Sequence, residues 1–116
     1  MSIEGKRLEF AEALALVADV VGFPYKPSTP RPGDGWPIFT GAERDEETGM
    51  FALGWRVLMY LPQDQRAASM WIDEHIADLI EALYKQGVAY VDAFIPVNIG
   101  TTDSYIYGLM LTTRSE

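Results

Sequence analysis

The sequence predicts an α+β two-layer sandwich, an α-β-β-α-β-β chain whose mainly antiparallel four-stranded sheet carries both helices on one face. Two stretches repeat apolar residues at helical spacing, and four shorter ones are rich in β-branched and aromatic residues. A short polar turn joins the strands of each pair. At 116 residues, with 48% hydrophobic and 22% charged side chains, the chain has the material for one domain around one core.

Residues 2–21 read as the first helix. Phe10, Leu14, Val17 and Val21 form one stripe, Glu9, Glu12 and Asp19 lie opposite, Gly22 is placed to end the helix, and Pro24 bars continuation. Leu8, Leu16 and Val20 widen the apolar arc, which suggests contact with more than one layer. Residues 24–37 hold five of the seven prolines and read as a stiff connector or an arm laid across another subunit. Two strands, 36–42 and 50–61, follow, joined by an acidic tip at 43–49. In the second, Phe51, Leu53, Trp55, Val57 and Met59 alternate with Gly54, Arg56, Leu58 and Tyr60. Both faces are partly apolar, so the face without helices is expected to be covered as well.

Asp64 is a fitting cap for a second helix through residue 86. Ala68, Ile72, Ile76, Leu79, Ile80 and Leu83 make its core side, Glu74, Asp78, Glu81 and Lys85 its wet side, and Gly87 ends it. Strands at 88–99 and 105–113 close the chain around a turn at 100–104, and Pro96 marks the third strand as an edge or a bulge.

Nine Lys and Arg oppose 17 Asp and Glu, a net charge of −8. Duplex binding and anionic membranes both reward clustered cations, and the three lysines here are far apart, so neither is the expected partner. Without cysteine there is no disulfide, thiolate zinc site or thiol nucleophile. No run of about 20 apolar residues suits a membrane span, and the charged start is unlike a signal peptide. A product kept inside the cell, or a particle assembled there, is expected.

No catalytic constellation is visible, and the expectation is a non-enzymatic protein without cofactor or metal. His75, the only histidine, lies beside the core stripe and reads as structural. Asp73, Glu74 and His75 are consecutive on a helix, about 100° apart, and cannot converge on one ion. Trp55 reads as core, whereas Trp36 beside the prolines and Trp71 on a helix boundary suit interface anchors. Arg31, Ile38 and Phe39 join them as interface candidates, and Glu43, Arg44, Asp45, Glu46 and Glu47 form a candidate acidic docking or lumen tip.

Three segments, PRPGDGWP at 30–37, WRVL at 55–58 running into LPQDQRAA at 61–68, and the closing TTRSE, occur in the order found in a known family. Together they resemble the tail terminator proteins, also termed minor tail or tail completion proteins, of long-tailed actinobacterial phages. The resemblance implies a homohexameric ring that caps the head-proximal end of the tail tube. Its implied partners are the major tail tube protein and a head–tail stopper or connector protein, with genome DNA passing the lumen without specific binding. The implied location is the virion, in the tail or neck, after assembly in the host bacterial cytoplasm. A stopper or connector ring is the nearest alternative, and an acidic inhibitor that mimics DNA is an alternative of another class.

Overall fold

Lys6, Phe10, Ala11, Ala13 and Leu14 recur at helical spacing and are the buried residues of α1 (Ile3–Leu14). The computed structural model describes residues 3–44, 46–98 and 107–115. Helix α1 stops well before residue 21, because the chain tightens into successive three-residue turns. The N–H groups of Leu16, Val17 and Val20 donate to the carbonyls of Ala13, Leu14 and Val17, and Asp19 takes a left-handed φ of 64°. Val17 and Val20 still reach the core, but Val21 is 52% exposed and leaves the expected stripe.

The freed segment becomes a strand absent from the predicted order. β1 (Val21–Gly22) runs parallel to the start of β2 (Asp34–Arg44), with the Val21 N–H on the Gly33 carbonyl and the Phe23 N–H on that of Gly35. Gly22 is therefore not a helix terminator. It permits β1 to lie against α1, where a Cβ would run into the carbonyl oxygen of Ala11.

β2 pairs antiparallel with β3 (Phe51–Tyr60), and β3 with β5 (Tyr107–Ser115), which in turn pairs with β4 (Tyr90–Asn98). The sheet has five strands in the order β1-β2-β3-β5-β4 and one parallel pair, which corrects the four-stranded expectation. β4, carrying Pro96, is an edge as its proline suggested. The predicted turn at 100–104 lies outside the described residues.

Helix α2 (Gln65–Lys85) crosses between β3 and β4. The Asp64 carboxylate accepts the Ala67 N–H at 3.0 Å. At the other end the N–H groups of Gly87 and Val88 bond the carbonyls of Tyr84 and Leu83, and Gly87 has a φ of 67°. This is a Schellman closure, completed by burial of Val88 and Leu83.

Both helices pack on the same face. Phe10 and Leu14 from α1, with Ala68, Leu79 and Leu83 from α2, share a core with Trp55, Val57, Met59, Leu109 and Leu111 of the sheet. The Trp55 ring lies 5.4 Å from that of Phe10 and 5.0 Å from that of Phe39. Arg7 closes this layer. Its Nη1 donates to the carbonyls of Pro24 and Pro37, both at 3.2 Å, and its guanidinium lies 4.6 Å from the Tyr25 ring and 5.4 Å from that of Trp55. The Asp34 carboxylate accepts the Arg31 N–H at 2.8 Å, and the Gly33 N–H reaches the Tyr60 carbonyl. The proline-rich segment is thus tied at both ends to its own chain.

Arg7→Ala is expected to cost about 3 kcal/mol by removing two charge-assisted bonds and the ring contacts. A fall in Tm of roughly 10 °C in a calorimetric scan checks it. Arg7→Lys should recover less than half, since an ammonium does not stack flat between two rings. Gly22→Ala is expected to destabilise by about 1–3 kcal/mol, read from the urea midpoint, because α1 and β1 must separate to admit the methyl group.

Candidate functional site: an open sheet face and a projecting hairpin

Strand register sorts every sheet residue onto one of two faces. Phe39, Trp55, Thr113 and Val91 form one row beneath the helices, and Pro37, Val57, Leu111 and Phe94 form the next. On the other face Trp36, Leu58, Met110 and Ile95 stand in one row, and Ile38, Arg56, Thr112 and Ala93 in the row beside it. Among the described residues neither helix packs there. Ile95 is 51% exposed and Ile38 36%, Arg56, Thr112 and Ala93 are exposed, and Leu58 and Met110 are half-buried. A sheet with one face on helices normally turns a polar face to water, so this apolar one is the most informative surface of the molecule.

Arg56 stands near the middle of that face. Arg114, on the same face, is engaged by Asp92 at 3.4 Å and by the Tyr90 ring at 5.6 Å. Arg56 has no ion-pair or hydrogen-bond partner among the described residues. Its position was legible in the parity that Arg56 shares with Leu58 and Tyr60, yet nothing in the strand pattern distinguished a paired from an unpaired arginine.

The interface candidates separate. Trp36 lies on the open face but is only 2% exposed, so the chain itself covers that corner and the indole is not a free anchor. Phe39, half-buried, points to the helix side and packs on Trp55. Ile38 is on the open face, and Arg31 is exposed in the proline-rich segment. Trp71, half-buried, stacks on His75 with ring centroids 4.2 Å apart and planes 16° from parallel. His75 is buried, with Nδ1 2.8 Å from the Trp71 carbonyl and Nε2 4.0 Å from an Asp19 carboxylate oxygen. That is the structural role expected of it, and Trp71 serves the core as much as the surface.

The acidic tip is shorter than predicted, because β2 extends into it as far as Arg44. Glu43 pairs with Ala52 and Arg44 with Phe51, where the Arg44 guanidinium lies 4.8 Å from the Phe51 ring. Among the described residues no third strand continues beyond the pairing of Leu53 with Ser115, and there the hairpin is a two-stranded ribbon. Glu46 and Glu47 occupy its turn, and Asp45 lies outside the described residues. Met50 and Phe51 beside them are 71% and 58% exposed.

A second acidic surface was missed. Glu9 and Glu12 of α1 line one hollow along the helical layer, and Asp78 and Glu81 of α2 line another, with Leu16 shared by both. Lys85 binds Glu81 at 2.6 Å, and this pairing lowers the carboxyl pKa and raises that of the ammonium. The sequence showed these acids on separate helices, and only the packing of α1 beside α2 brings them together. Among the described residues no three His, Cys, Asp or Glu side chains gather as metal ligands, and no helix is long and apolar enough to cross a membrane.

No protein-family model matches the chain, and no curated protein matches it.

The two faces should answer differently to truncation. Leu111→Ala is expected to cost about 3 kcal/mol by opening a cavity under the helices. Ile95→Ala, on an exposed edge strand, should stay within roughly 1 kcal/mol. Urea midpoints of the two variants check the assignment.

Proposed function

We propose that the chain is a non-enzymatic, ring-forming structural protein of a phage tail, the terminator that caps the head-proximal end of the tail tube. One observation carries the reading: the sheet of this small α+β domain leaves an apolar face open where the helices do not reach. Such a surface is costly to keep in water, and burial against other subunits removes the cost. The resemblance of residues 30–37, 55–68 and the C-terminal TTRSE to tail terminators supplies the class of assembly. A homohexameric ring suits a cap, because contacts between unlike patches of one subunit close on themselves when the rotation permits. Its tube-facing surface would meet the tail tube protein and the opposite one the head–tail stopper.

The charge of −8 per chain fits a protein whose lumen must pass DNA without holding it. The acid-lined helical layer and the acidic hairpin tip are the two surfaces able to supply that repulsion. The same helical layer also favours a second reading, an acidic inhibitor that occupies a DNA-binding protein.

The decisive experiment images tails by negative stain with and without this protein. Overgrown tails that fail to join heads in its absence are expected. Normal-length tails beside heads that leak DNA would assign the stopper role instead. Unchanged heads and tails would overturn the virion reading. Charge reversal at Glu43, Glu46 and Glu47 should reduce the yield of infectious particles, counted by plaque assay.

A further inference from the structure

We propose that copies of this chain associate head to tail, the projecting β2–β3 hairpin of one copy seating on the open sheet face of the next, with Glu43 or Glu46 against Arg56. The inference deepens the ring reading by naming its contact, and it rests on that reading only for the stoichiometry.

The receiving face is largely apolar, with Arg114 held by Asp92 and a second cation, Arg56, near its middle. Ile38, Leu58, Met110 and Ile95 surround an exposed Arg56 that has no partner among the described residues. Covering such a face with a purely apolar partner would bury an unpaired charge, which is strongly unfavourable. The occupant must therefore bring apolar side chains and a carboxylate together.

The hairpin tip brings both. Met50 and Phe51 are its exposed apolar residues, and Glu43 and Glu46 its exposed acids. It is also the part of the fold with most need of a partner. Among the described residues Phe51 and Ala52 pair with β2 alone, and a two-stranded ribbon is marginally stable in water.

The contact has to be between molecules. Phe51 and Arg56 lie on the same extended strand, so the tip stands about 17 Å from the arginine of its own chain. Tip and face are also different patches, and a contact between unlike patches propagates from copy to copy until it closes. The wider acidic surface on the helices is a weaker fit. Its Glu81 is already paired with Lys85.

Sedimentation velocity over a concentration series at low salt tests the inference. The wild-type chain should self-associate, and R56E and E43R/E46R should each weaken association about tenfold or more, as loss of a desolvated charge pair does. The triple variant R56E/E43R/E46R should return to within about threefold of wild type, because the reversed charges pair again. Unchanged melting curves show that the variants fold. The absence of cysteine gives an independent readout. When T112C and E46C chains are mixed and oxidised, the mixed disulfide should exceed the statistical half of the dimer.

A wild-type chain that stays monomeric and shows no excess of mixed disulfide would overturn the proposal. Association indifferent to R56E, or losses that the triple variant does not repair, would also overturn it. The tail reading fails separately. Head-to-tail association alongside unchanged tails would sink the terminator role and keep this contact, whereas tails that need the protein but tolerate R56E and E43R/E46R would do the reverse.

Discussion

The fold depends on Arg7. One guanidinium bonds the carbonyls at both ends of the proline-rich segment and lies near the rings of Tyr25 and Trp55. Helix α1, the loop, strand β2 and the central tryptophan are therefore joined at a single side chain. Prolines cannot supply N–H groups to a ladder, so a segment so rich in them needs its carbonyls satisfied by side chains or water. Arginine, with several donors in one plane, can serve two carbonyls and two rings together, and a point charge cannot. Because the loop is held back, β1 can pair with the start of β2, and α1 must end early to deliver it.

That constraint also fixes which face stays open. Arg7 and Phe10 draw α1 onto the Trp55 side, and α2, crossing between β3 and β4, packs on the same side. The opposite face is left with the second apolar set of β3 and its cross-strand neighbours. The surface proposed for assembly is thus a consequence of the side on which the core was built. A core of Leu, Val, Met and aromatic residues beneath two helices leaves the alternate strand positions free to serve a partner.

Electrostatics divide along the same line. Acids gather on the helical layer and at the hairpin tip, while the open sheet face presents Arg56 and Arg114. A molecule with unlike surfaces on opposite sides favours repeated contacts of one kind over symmetric pairing. The acidic balance of the whole chain concealed this division, since a net charge reports no positions.

The sequence by itself determined the two-layer class, both hairpins, the Asp64 cap and the Gly87 stop of α2, the edge position of β4, and the core roles of Trp55 and His75. Each follows from local chemistry: alternation in strands, helical periodicity, a side-chain cap, a glycine free to take positive φ, a proline without an N–H. Tertiary structure decided the early end of α1, the parallel strand β1, the burial of Trp36 and the gathering of acids from separate helices. These turn on partners distant in the chain. Gly22 meets Ala11 and Gly35, Arg7 meets Pro24 and Pro37, and α1 lies beside α2, none of which a local pattern encodes. Trp36 looked like an anchor because it follows the proline-rich connector, and its strand register with Leu58, together with the chain that covers that corner, placed it inside instead.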